Sequence, residues 1–298
     1  MSTKKVQLSA TQKKCNVAML SIISNTSLVL LKFFVGIITG SISVISEAIH
    51  SSLDLFASFI AYFAVRKSSH PPDEKHHFGH GKIENISGAA EALLIFLAAA
   101  MIIWEAVEKI IHPHGMPKVE LGIIVMAFSA GVNFLISNII MQVAKETDSL
   151  ALEADAWHLR TDVYTSLGVL VGLVIVKLTN LPVLDPIFAI GVALVIIKAA
   201  FELTTKTLED LMDEKLPDSE EQKIKRIIKN CCPQVVGFHR FRTRKAGSSR
   251  FVDLHLVVPP GLSVEEAHSI CDAIESSAEK EIPNLQMVIH VEPDKTKN

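Results

Sequence analysis

Charge is scarce in this sequence. Of 298 residues, 20% are Asp, Glu, Lys or Arg against 49% hydrophobic, and the mean hydropathy of +0.36 is high for a soluble chain of this length. The scarcity points to a membrane protein with a soluble part. An excess of positive charge is also missing: the net charge is -3, and no long basic run is interleaved with aromatics, which argues against a nucleic-acid surface. The four cysteines, Cys15, Cys231, Cys232 and Cys271, show no C-x-x-C spacing and so suggest neither a disulfide framework nor a zinc ribbon. No G-x-x-x-x-G-K-[ST] is present, which removes a nucleotide motor. No H-E-x-x-H is present, which counts against an intramembrane metallohydrolase. The opening MSTKKVQLSATQKK has no small-residue cleavage site before the first apolar run, and reads as a cytosolic tail.

Long apolar runs are abundant. A bilayer core of roughly 30 Å needs about 20 largely apolar residues per helix, and six segments qualify: 17–38, 42–65, 86–111, 121–143, 150–178 and 182–203. Lys and Arg gather in the first tail, in 66–82, around Lys145 and after Lys198, while the alternate connections carry few. By the positive-inside rule both termini are expected in the cytosol. After Lys206 charge becomes dense, and LEDLMDEKLPDSEEQ looks like a linker into a soluble module. Periodicity there reads helix 219–230, strands 236–244 and 251–258 around a GSS turn, helix 264–280 and strand 285–291. The expected organisation is a tail at 1–16, a six-helix transmembrane domain at 17–207, and a cytosolic α+β ferredoxin-like domain at 208–298.

Two apolar segments are interrupted by the same pattern. EAIHSSLDLF (47–56) and DAWHLRTDVY (155–164) each place an acid, a histidine three residues on, and an aspartate four further. On a helix these share one face. His50, Asp54, His158 and Asp162 would form a four-coordinate site of two nitrogens and two oxygens. Two ionised aspartates at mid-helix cost about 5 to 7 kcal/mol unless water or a cation compensates, so a divalent cation is the economical explanation. The competing account is a hydrogen-bonded helix contact with no transport role, which duplication of the pattern disfavours. Glu47 and Asp155 read equally well as entrance or proton-relay groups and as cytoplasmic-side acids touching water.

The paired H-x-x-x-D helices, the sequence HHFGHGKIE after the second span, the six spans and the ferredoxin-like tail resemble the cation diffusion facilitator family, of the bacterial zinc and iron efflux type. The resemblance covers nearly the whole chain. It implies that His50, Asp54, His158 and Asp162 are the transport site. Histidine at the first position is associated in the family with zinc, although Co(II), Cd(II), Fe(II) and Mn(II) remain chemically open. It implies a smaller site of Asp73, His76 and His80 in the loop PPDEKHHFGHGK, with His70 and His77 as bystanders. Lys82 and Asp213 would form a charge pair between domains or subunits.

In the tail, alternation puts Asp253 and His255 on one face of their strand, and His290 and Glu292 on one face of theirs. By resemblance His239, His255, His268 and His290, with Glu292, hold a binuclear cytosolic site at a dimer interface. Val291-Glu292 departs from the bacterial zinc pattern, which has a polar residue and an aspartate there. Cys231 and Cys232 read as packing residues at a helix end. The function expected is a homodimeric divalent cation exporter of the inner membrane, with Zn(II) as substrate and regulatory ligand, protons as counter-substrate and no further cofactor. A non-transporting metal sensor is the alternative.

Overall fold

A computed structural model describes residues 2–39, 42–112, 120–179, 181 and 183–295. The chain divides into two compact units, Met1–Leu208 and Glu209–Asn298.

Six long helices build the first unit: α1 (Ser2–Thr39), α2 (Ile42–Ser68), α3 (Lys82–Ile111), α4 (Glu120–Thr147), α5 (Leu150–Thr179) and α6 (Leu184–Leu211). Among the described residues, all except α5 contain a stretch long and apolar enough to cross a bilayer. At 30 residues α5 is about 45 Å long, but its first half carries Glu153, Asp155, Arg160 and Asp162. That is the helix with the most to hide, and its neighbours hide it. Ala151, Leu152, Ala156 and Leu159 of α5 pack with Ala18 of α1, Ala64 and Val65 of α2, and Ile140 and Ala144 of α4. Ala154 joins Ala92, Ile95 and Ala99 of α3 and Ile196, Ala200 and Leu203 of α6. Alanine dominates these seams because small side chains let backbones approach where lipid offers no hydrophobic drive. Gly88 of α3 serves the same end: a Cβ there would meet Thr207 Cγ2 of α6 at 2.8 Å. Large apolar groups such as Phe34, Phe63, Trp104, Leu135 and Phe201 point outward and are exposed.

Two expected boundaries move. The segment 1–16 is not a tail separate from the first span; α1 is already helical at Ser2. Lys13 pairs with Glu146 of α4 and Lys14 with Glu84 of α3, which ties this end of α1 down. The expected linker after Lys206 also begins as helix, since α6 runs to Leu211.

The second unit follows α7 (Asp218–Cys231), β1 (Gly237–Ala246), β2 (Ser249–Val258), α8 (Val264–Glu281) and β3 (Leu285–Pro293). This is the α-β-β-α-β order expected, one strand short of a full ferredoxin-like β-α-β-β-α-β unit. Strand order is β1-β2-β3, with β1 antiparallel and β3 parallel to β2. Gly247, at φ 59, starts the two-residue turn that pairs Ala246 with Ser249, a position glycine occupies at least cost. Asp218, Glu220 and Glu221 open α7, complementing its dipole. Ser263 and Glu266 form a reciprocal capping box on α8. Both helices cover one face of the sheet, where Val252, Leu254 and Leu256 pack against Ile224, Ile228, Ile270 and Ile274; each such side chain contributes about 1.5–3 kcal/mol by burial. The opposite face carries Asp253, His255, His290 and Glu292. A bulge between His239 and Arg242, with Arg240 at φ 50, re-aims β1 beside that face.

Candidate metal centre

Because α2 and α5 pack together, the two repeated patterns meet. One ligand atom from each of His50, Asp54 and Asp162 lies within 4.8 Å of the others, and His158 Nε2 is 3.0 Å from Asp54 Oδ1. All four residues therefore converge. A tetrahedral Zn(II) with bonds of 2.0–2.1 Å would space its ligands about 3.4 Å apart, so small side-chain rotations would close the cluster on an ion. Asp54 and His158 are buried. Asn133 of α4 donates to Asp162 Oδ2 at 3.3 Å. His158 Nδ1 is buried and has no hydrogen-bond partner among the described residues.

Asp155 lies one turn before His158 and is fully buried. Ser58 of α2 donates to it at 3.2 Å, and Ser58 itself is met by Ser21 at 3.0 Å and by the Asn25 amide at 2.8 Å, both on α1. An acid touching bulk water is thus not what Asp155 is. Glu47 continues the backbone of α2, but its side chain lies outside the described residues.

Several groups here escaped the sequence reading. Lys32 of α1 is buried and donates to Ser51 at 2.6 Å. Glu91 of α3 is wholly buried, accepts from Ser87 at 3.3 Å, and has Oε2 without a partner among the described residues. Glu84 accepts from Lys14 at 2.9 Å, from Ser68 at 2.8 Å and from Ser149. A single charge inside an apolar run, as in SLVLLKFFVG or GAAEALLIF, was the signal that could have found Lys32 and Glu91.

In the loop after α2, Asp73 is the hub. Its Oδ1 accepts the backbone N–H of His76 at 2.7 Å and of Lys75 at 2.9 Å, and these bonds, that of His76 first, hold its carboxyl below the usual range. His76 Nδ1 stands 3.2 Å from Oδ1 and His80 Nε2 3.3 Å from Oδ2. The loop is bent, not helical, with Gly79 at φ 80. His80 is buried and its Nδ1 has no partner among the described residues. His70 bonds instead to the carbonyls of Arg66 and Lys67, and His77 is exposed.

Across the second unit's open face, register aligns three histidines: His239 opposite His255 on β1 and β2, and His255 opposite His290 on β2 and β3. Glu292 gathers them. His255 Nδ1 is 2.8 Å from Oε1 and His239 Nε2 3.0 Å from Oε2, and these contacts, that with His255 foremost, lower the carboxyl's pKa. His290 Nε2 stands farther off, at 3.7 Å from Glu292. His268 does not join them; on the exposed side of α8 it faces Asp272 at 3.7 Å. Asp213 lies 3.5 Å from Arg244 of its own unit.

Helices crossing a bilayer with histidines and carboxylates sunk among them, followed by a small sheet domain with His239, His255 and Glu292 clustered on one face, define a multi-pass cation transporter. Residues 18–212 match the cation efflux transmembrane domain family and residues 216–294 the cation efflux protein cytoplasmic domain. The chain belongs to this family, the cation diffusion facilitators, and is a cation efflux transporter, not an enzyme. It is 35% identical over 256 residues to an uncharacterized transporter of Synechocystis sp., covering 86% of this chain and 83% of that protein. The cation-efflux pump FieF of Pectobacterium atrosepticum is 31% identical over 278 residues, covering 92% of each. Among solved structures, the zinc form of CzrB is 37% identical, covers 29% of this chain and 98% of its own, and has a TM-score of 0.27.

Proposed function

We propose that this protein is a homodimeric antiporter of the inner membrane that exports Zn(II) in exchange for protons, with both termini in the cytosol. The observation that carries the reading is the convergence of His50, Asp54, His158 and Asp162 between α2 and α5. Two imidazoles and two carboxylates suit tetrahedral Zn(II). A metal binds only deprotonated ligands, and histidine, with an ordinary pKa of about 6.5, lets protons compete near neutrality. Cytosolic metal enters the four-residue site, the helices rock, and protons from the far side displace it outward. Asp155, joined through Ser58 to Ser21 and Asn25, is placed in this proposal as a relay beside that site.

Asp73, His76 and His80 hold a second ion at the loop. His239, His255 and Glu292, with His290 at the margin, hold regulatory Zn(II) on the sheet face, tightening the dimer and biasing the transport equilibrium. His268 would reach that site only from elsewhere in the assembly. Lys82 and Asp213 remain the proposed interlock; an exposed pair of this kind contributes little by itself. No further cofactor is required.

The test is flux of Zn(II), Co(II), Cd(II), Fe(II) and Mn(II) in proteoliposomes under an imposed pH gradient, with an internal pH dye, for wild type and Asp162→Asn. Proton-coupled zinc flux lost in the variant is expected. Flux of another ion in preference to zinc would overturn the substrate, flux without a dye response the antiport, and no flux of any ion the transport reading.

A further inference from the structure

Four thiols are present and none is bonded to another; two of them are adjacent at the end of α7, where the transport reading leaves them unused. Cys231 is the last residue of α7 and Cys232 its extended C-cap, at φ -136 and ψ 129. That change of backbone conformation brings both side chains to one side: the sulfurs are 3.7 Å apart. Two thiolates bound to one tetrahedral ion at bonds of about 2.3 Å must lie about 3.8 Å apart, so the observed spacing already equals one edge of such a site.

Access is also built in. Both cysteines are only half-buried, whereas Cys271 is buried in the core. Cys231 lines a groove of roughly 480 Å³ between α7 and α8, together with Asn230, Ser277 and Glu281. Ser277 Oγ is 3.6 Å from Cys231 Sγ, bringing an oxygen close to the pair. Lys223 and Arg226 form the groove's basic wall, and Lys223 is held 3.5 Å from Glu281. The groove lies between the two helices, which cover the sheet face opposite to His239, His255 and Glu292, so the two clusters are separate.

We propose that Cys231 and Cys232 form a dithiol chelate for a soft, thiol-preferring divalent cation, with the remaining corners filled from the groove by water or the Glu281 carboxylate. Thiolate donors select soft ions that imidazole and carboxylate hold less well, which would give the cytosolic unit a second site of different preference from the sheet face. Binding is a simple exchange: two S–H protons leave to solvent and two metal–sulfur bonds form, with no change of oxidation state. Burial, and then the neighbouring Cys231 thiol, raise the pKa of Cys232, so a metal must displace its proton on binding.

The experiment is titration of the full-length protein in detergent with Cd(II), read by the sulfur-to-metal charge-transfer band in the ultraviolet. One Cd(II) per chain with the band is expected in wild type and equally in His239→Ala/His255→Ala, and loss of the band in Cys231→Ser/Cys232→Ser. Single Cys231→Ala and Cys232→Ala variants, each expected to lose at least half the band, serve if the double variant misfolds. A band that survives the double or single substitutions would overturn the proposal. So would a wild type with no band whose two thiols still react with a maleimide.

Discussion

Replacing Asp162 with asparagine is the cleanest test of the four-residue site. Asp162 is only half-buried and accepts a 3.3 Å bond from Asn133, so Asp162→Asn keeps the volume and a carbonyl oxygen for that bond while removing the charge. The charge-assisted bond to Asn133 contributes about 1.5–3 kcal/mol, part of which the asparagine carbonyl retains. Asp54 would be a poorer choice, because it is buried against His158 at 3.0 Å, and breaking such a buried pair costs about 3–5 kcal/mol and would confuse unfolding with loss of function. Changes beside a metal ligand weaken binding by about 10–100-fold, so loss of a ligand itself should weaken it by at least about 100-fold. The assay is zinc flux in proteoliposomes beside a thermal melt and size-exclusion profile in detergent. Flux should vanish while the melt shifts modestly. Wild-type flux from folded Asp162→Asn would refute the assignment of these residues as the transport site.

Other substitutions probe independent parts. His50→Asp exchanges an imidazole for a carboxylate and is expected to broaden selectivity towards Cd(II), seen as Cd(II) competing with zinc flux; unchanged competition would mean this position does not set preference. Glu84→Gln leaves the buried Lys14 ammonium without its charge partner and should cost about 3–5 kcal/mol, seen as a lowered melting midpoint of the intact protein; an unchanged midpoint would contradict the clasp. Ser263→Ala removes the α8 cap and should cost about 0.5–2 kcal/mol, measured by denaturant unfolding. Backbone and then side-chain bonds from Ser263 lower the pKa of Glu266, so its contribution is complete above the ordinary carboxyl value of about 4.3 and disappears as pH falls through the lower folded value. Protection from hydrogen exchange at the start of α8, taken relative to the intrinsic rate at each pH, should fall only in that acid range; a fall beginning near neutrality would be the wrong sign.

Periodicity carried most of the architecture, because a bilayer and a two-layer core each impose a simple rule on apolar spacing. The strands around Gly247 and the helix opened by Ser263 were legible within a few residues, since turn and cap chemistry is local. The start of α1 was not. Lys13 and Lys14 look like tail charges until Glu146 and Glu84 are found beside them, and those acids are far away in sequence. The end of α6 was missed for a related reason: dense charge after Lys206 suggests a linker, yet charge does not stop a helix.

The two H-x-x-x-D patterns placed His50 with Asp54 and His158 with Asp162 on shared helix faces without any knowledge of packing, because helical periodicity is intrinsic to the backbone. That α2 meets α5, and so joins the pairs at 3.0 Å, was decided by alanine seams and the helix-to-helix fit. The same division holds on the sheet. Alternation set the faces of His255 and Glu292, but strand register put His239, His255 and His290 in one row, and the packing of α8 kept His268 out of it. The proximity of the Cys231 and Cys232 sulfurs likewise came from a backbone change at the helix end. Spacing along a chain is a local property, whereas distance between chain segments is set by what packs between them.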